Sequence, residues 1–301
     1  MKDENGNLVY GSILPGTKQG LAKIQEWMKA GYVHKEAGLP DETKPYQLFT
    51  AGTSGIMAGP TWAKAWPLGE VEKNVPGAKV SPYPLPVGPD GKAGQLNGVT
   101  HYMVTQISKD MEFQEIYFHY MNYLYDHFAN PKEGDVFEHG FAEGYDYVIK
   151  DGVPTNDRAI VEEVTGHKYI PVENYFISVP GPRIPSLQVN TIAKLHSGAE
   201  PATPYERKMA AMYTPEAGEV ISIVLDQAGF AYNNEFTGPP TPTMVTNKEL
   251  LTKIEKDMFS RIAYGRDPID AFDKFVEEWK QKGGDQITQE VNEWYKSVHG
   301  N

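Results

Sequence analysis

The 301-residue chain contains no cysteine, which excludes disulfides, thiolate metal centres and cysteine nucleophiles. Positive charge is scarce: 28 Lys and Arg stand against 40 Asp and Glu, and the formal net charge of −12 would repel nucleic-acid phosphates and anionic membrane surfaces. No apolar run approaches the roughly 18 residues that a membrane-spanning helix needs, and Met1–Asn5 lacks the character of a signal peptide. A phosphate-cradling glycine loop, a dinucleotide fingerprint and an HExxH zinc helix are missing too, so no cofactor and no metal are expected. What is plentiful is aromatic surface. Eighteen Tyr and 5 Trp suit a cleft where flat rings stack on sugar faces, and 40% hydrophobic residues suffice for one large or two medium domains.

The stretch Tyr46–Trp66, YQLFTAGTSGIMAGPTWAKAW, organises the rest. Tyr46, Leu48 and Phe49 make an apolar helical surface, and Gly52 stands where a helix end needs positive φ. Ser54–Ala58 reads as a short covered strand, broken by Gly59-Pro60. Thr61 then caps a helix running to about Val75, with Trp62 in its first turn, as at the mouth of an α/β binding unit. Trp62 and Trp66, four apart, equally read as a core stripe.

Elsewhere, Asp3–Asn7 reads as a turn rather than half a calcium loop, because Leu8, Val9 and Tyr10 occupy the later ligand positions. An amphipathic helix over Thr17–Ala30 places Trp27 in the core. Strands are expected over Ala78–Leu85, Leu96–Ile107 and Tyr145–Ile149, the last followed by an Asp151-Gly152 turn. Helices are expected over Lys109–Phe128, with a broad aromatic face, and Pro131–Glu143. A proline-punctuated region from Thr165 to Thr243 holds short helices at Pro204–Met212 and Glu216–Leu225. Three helices close the chain: Asn247–Tyr264, Pro268–Lys282 and Ile287–Val298. His119 and His127 have no carboxylate or third histidine at ligand spacing. Gly52-Thr53-Ser54-Gly55 lacks the glycine spacing of a nucleophile elbow. The acids Glu138, Glu143 and Asp146 could serve a glycosidase, although such acids on a helix usually face solvent.

Four segments carry a family resemblance: Leu21–Glu36 (LAKIQEWMKAGYVHKE), Leu48–Trp62 (LFTAGTSGIMAGPTW), Phe141–Gly152 (FAEGYDYVIKDG) and Ile262–Tyr295. Together they resemble the extracellular solute-binding proteins of ABC importers, in the lipoprotein branch that takes maltose, alginate and other oligosaccharides. The resemblance implies a type II periplasmic-binding-protein-like α/β fold, with a helix-rich C-terminal lobe and a hinge-crossing segment of the other lobe. On that pattern residues 1–96 form the first part of the C-terminal lobe, 97–165 cross the hinge, and 166–301 return through a loop-rich segment to the closing helices. Family members begin with an export signal, a lipid-anchor cysteine and most of an N-terminal lobe; residue 1 matches a point beyond these, which implies a C-terminal fragment.

The same resemblance implies that Trp62 stacks on ligand, with backbone N–H groups of its helix start facing ligand oxygens. Thr61 and Ser54 would donate hydrogen bonds, and Trp66 would be a second wall or core. Tyr83, His101 and Tyr102 would lie near the hinge crossings, and Asn234 and Glu235 would reach sugar hydroxyls. The implied role is reversible capture of an oligosaccharide between lobes and delivery to ABC permease subunits, without catalysis. The full-length protein would be monomeric and extracellular, meeting the membrane only through a lipid anchor outside this chain. A peptide-binding member of the class, or a glycoside hydrolase or lyase using Glu138, Glu143 and Asp146, are the alternatives.

Overall fold

The computed structural model describes residues 1–37, 43–64, 66–94, 96–97, 104–172, 182–213 and 215–300. In chain order its helices are α1 (Pro15–Ala30), α2 (Lys44–Thr50), α3 (Val71–Asn74), α4 (Gln114–Leu124), α5 (Arg158–Thr165) and α6 (Pro185–His196). These are followed by α7 (Pro204–Met212), α8 (Pro215–Gln227), α9 (Pro242–Ala263), α10 (Ala271–Trp279) and α11 (Asp285–His299). The described strands are short: β1 (Leu96–Asn97) pairs in parallel with β4 (Tyr232–Asn233), and β2 (Val148–Lys150) pairs antiparallel with β3 (Val153–Thr155). The chain divides into two compact units, one of residues 1–57, 85–102 and 230–301, the other of 58–84 and 103–229.

The first unit is built on its closing helices. Thr241 caps α9 by accepting the Met244 N–H, and Pro242 fills the first turn, where a missing N–H costs nothing. Leu251, Met258 and Ile262 recur at helical spacing along α9 and meet Phe272, Phe275 and Trp279 of α10, Ile287 and Val291 of α11, and Leu21 of α1. Gly283, at φ 115°, turns the chain between α10 and α11 in a conformation that a side chain would strain. The amino-terminal segment is clipped on by Asn292, whose amide accepts the Leu8 N–H at 2.7 Å and donates to the Leu8 carbonyl at 2.8 Å. Tyr10 stacks flat on Trp279 at 4.9 Å. The Asp3–Asn7 turn is as expected: the Asp3 carboxylate accepts the N–H groups of Asn5 and Asn7 at 2.9 and 2.8 Å, so its oxygens serve the turn itself.

In the second unit Leu124 and Phe137 form a small core with Tyr120, Phe128 and Phe141 around them. Helix α6 packs against both α7 and α8. A capping box opens α7, Thr203 accepting the Glu206 N–H while Glu206 accepts from the Thr203 backbone; such a cap is worth about 1 kcal/mol. Arg207 of α7 reaches Glu133 at 2.7 Å and Glu138 at 3.1 Å. Of the aromatic face expected along α4, Phe113 and Ile116 are more than half exposed, while Tyr120, Leu124 and Phe128 pack into the small core.

Several expected elements are not formed as read. Ser54–Ala58 is not a strand: the Ser54 hydroxyl donates to the Ile56 carbonyl at 2.9 Å, closing a local turn, and Ile56 is 92% exposed. The helix expected over Thr61–Val75 is a turn, a single 3-10 turn over Leu68–Glu70 and the four-residue α3, interrupted at Pro67, which has no N–H to continue it. Residues 78–85 lie outside any described ladder, their prolines withholding donors. Of the strand expected over 96–107 only β1 is paired; 98–103 lie outside the described residues. Pro131–Glu143 forms turns, closed by carboxylates: Asp135 takes the Lys132 N–H, Glu138 that of Gly134, and Asp146 those of Phe141 and Ala142. The Tyr145–Ile149 strand is shifted to β2 and turns through Asp151-Gly152 into β3. Helices α5 and α6 were not expected, and Trp27 is 44% exposed instead of core, since α1 turns Leu21 inward.

Candidate functional site

Residues 58–84 place three large rings at the surface of the second unit: Trp62 is 55%, Trp66 68% and Tyr83 82% exposed. Ala63, Leu68 and Val71 are buried and hold the segment down, while Lys64 pairs with Glu219 of α8 at 2.8 Å. Backbone bonds from Ala63 to Pro60 (3.0 Å), Trp66 to Trp62 (3.2 Å) and Leu68 to Ala63 (2.9 Å) wind the chain into a compact turn. With the small Ala63 turned inward, both indoles face out. Gly59 packs closely beside it: a Cβ there would lie 3.3 Å from the Ala63 Cβ, a tight contact that needs a shift of a few tenths of an ångström.

Thr61, Trp62 and Trp66 therefore share one turn, and Tyr83 belongs to the same unit. Because no helix begins at Thr61, the expected helix-terminal array of N–H groups is replaced by a single turn, and the macrodipole argument lapses. Ser54, Asn234 and Glu235 belong to the first unit. Each has a local role there: Ser54 bonds Ile56, the Asn234 amide oxygen accepts the Phe236 N–H at 3.3 Å, and Glu235 pairs with Lys2 at 3.5 Å. His101 and Tyr102 lie outside the described residues.

Two of the three acids that could have served glycoside cleavage, Glu138 and Asp146, are occupied structurally, while Glu143 is exposed. Glu138 accepts from Gly134 and Arg207; burial pushes its carboxyl up, but the Gly134 N–H and the Arg207 guanidinium outweigh that and hold it below the ordinary range. A general acid for sugar cleavage needs the opposite shift. Both oxygens of Asp146 are taken by backbone N–H groups, at 2.8 and 2.7 Å. Among the described residues no cluster of three or more acids and histidines could hold a metal ion. His127 does meet a carboxylate, Asp135 at 2.9 Å, a partner that sequence spacing within the helix could not reveal.

Two hollows in the second unit, of about 60 and about 410 Å³, share Tyr205, and neither is lined by Trp62, Trp66 or Tyr83. Their residues went unremarked in the sequence. The signal was present in α7, where Tyr205, Lys208 and Met209 recur at helical spacing, so a lysine sits on the buried stripe.

A helix-rich α/β chain with short strands, entering one unit three times and the other twice, has the architecture of the solute-binding-protein fold. The alginate-binding protein AlgQ2, in its crystal structure without calcium ion, shares this fold with a TM-score of 0.54 at 14% sequence identity, over 98% of this chain. The chain spans 57% of the length of that structure. In sequence it is similar to a Niallia circulans protein described as "Uncharacterized protein in butB 5'region", 23% identical over 292 residues, covering 92% of this chain and 98% of that protein. No family model matches the chain.

Proposed function

We propose that this chain is the substrate-capturing part of an ABC importer, binding an oligosaccharide reversibly outside the cell and handing it to a membrane permease, without chemistry. The observation that carries the reading is Trp62, held with its ring outward on a turn anchored by Ala63, with Trp66 and Tyr83 exposed in the same unit. Flat rings supply the apolar faces on which pyranose rings stack, and local polar groups such as Thr61 add direction. The shared fold with an alginate-binding protein supports a sugar as the ligand class. The structural commitments of Glu138 and Asp146 favour binding over hydrolysis.

The test is tryptophan fluorescence and thermal unfolding of the chain against a panel of algal and plant oligosaccharides, with peptides of similar size alongside. A saturable shift with one sugar class, and none with peptides, is the expected result. A response to peptides alone overturns the oligosaccharide reading, and release of new reducing ends overturns binding without catalysis.

A further inference from the structure

The cavity of about 60 Å³ in the second unit lies beneath α7 and gathers an unusual set of donors. Lys208 is only 5% exposed; its ammonium donates to the Phe128 carbonyl at 3.1 Å and lies 3.4 Å over the Phe128 ring. Arg183, exposed to solvent, lines the same cavity and has no ion pair among the described residues. Tyr205 is buried and feels both Arg183 and Tyr213, while Gln188 donates to the Tyr213 hydroxyl. None of the described residues lining the cavity is a carboxylate. In a chain with a net charge of −12, two cations converge here on a small space.

Size and chemistry narrow the occupant. At roughly 10–15 Å³ per water-sized position the cavity holds about four heavy atoms, the size of a carboxylate with one carbon attached. A guanidinium presents a planar fork that matches a carboxylate, an ammonium adds a point charge, and a phenol donates one directed bond. Burial first, and then Tyr213, push the Tyr205 hydroxyl up to about 12, so it stays protonated and able to donate. The neighbouring hollow of about 410 Å³ shares Tyr205 and leaves room for the remainder of a larger acid.

We propose that this cavity is a binding site for the carboxylate group of a small organic acid, with Arg183 and Lys208 supplying charge and Tyr205 a hydrogen bond. The site uses none of the residues assigned to the oligosaccharide, so it stands or falls separately from that reading. Acetate is the probe. Thermal unfolding and calorimetry of the full chain are followed against sodium acetate and, at equal ionic strength, sodium chloride. Acetate is expected to raise Tm saturably by a few degrees where chloride does not. Arg183→Gln, at an exposed position that should fold normally, is expected to weaken acetate roughly tenfold to hundredfold, and Tyr205→Phe by several-fold. Lys208→Met completes the set if it folds. Equal effects of acetate and chloride, or acetate affinity unchanged in Arg183→Gln, overturn the proposal.

Discussion

Replacing Trp62 by alanine separates a ligand-stacking ring from a packing ring. A tryptophan presents about 250 Å² of side-chain surface, and the 55% exposure of Trp62 leaves about 140 Å², or about 70 Å² on one face. Covering that face with a sugar at about 25 cal/mol per Å² contributes about 1.8 kcal/mol, equivalent to about a twentyfold change in Kd. The buried remainder, about 110 Å², limits the stability loss to about 2.5 kcal/mol once the partial burial of an unfolded chain is allowed for. Trp279, 3% exposed and stacked on Tyr10, is the control, because Trp279→Ala should cost about 3–5 kcal/mol without touching ligand. Calorimetric titration of the responding sugar, at a temperature where all variants are folded, gives the comparison. Trp62→Ala should lose about twentyfold in affinity and Trp279→Ala almost none. An unchanged Kd in Trp62→Ala, or an equal loss in the folded Trp279→Ala protein, refutes the argument.

Other perturbations test the framework. Glu290 of α11 is held well below its ordinary 4.5, at about 2, by hydrogen bonds from Thr241 first and then Thr243 at the start of α9. A depressed folded-state value contributes stability that is complete above 4.5 and is lost as pH falls toward 2, so urea midpoints of the wild type should drop across that window more than those of Glu290→Gln. Gly284→Ala would put a Cβ 2.1 Å from the buried Trp279 ring, and the forced repacking should cost about 1–3 kcal/mol, read as a lower Tm. Ile262→Ala empties a fully buried site in the same core and should cost about 2–5 kcal/mol in denaturant titration. Arg207→Ala removes the partner of Glu133 and Glu138; its effect should be a modest change in stability that shrinks with added salt, because the arginine side chain is 40% exposed.

Much of the fold was legible because several signals agreed at each element. Pro204–Met212 was read to its ends from its proline start, and the structure adds a capping box of Thr203 and Glu206 there. The closing helices were legible from hydrophobic periodicity with glycine breaks, although α9 starts earlier than read, at the Thr241-Pro242 cap. Misreadings fell where side chains compete with the backbone. Around residues 131–146 three carboxylates close turns with nearby amides where a helix was expected, and at Ser54 a hydroxyl closes a turn where a short apolar stretch suggested a covered strand.

For the site, the residues by themselves left Trp62 and Trp66 open between a core stripe and a binding face, since a spacing of four fits both. The sequence by itself determined the helical frame, the absence of thiol chemistry and the acidic surface, because periodicity, caps and composition act locally or in sum. The tertiary structure decided which face of each element is buried. It turned Ala63 inward and both indoles outward, set Arg207 against Glu138, and brought Arg183 and Lys208, distant along the chain, to one cavity. Those outcomes depend on which surfaces meet after folding, and packing between segments far apart in sequence is what selects them.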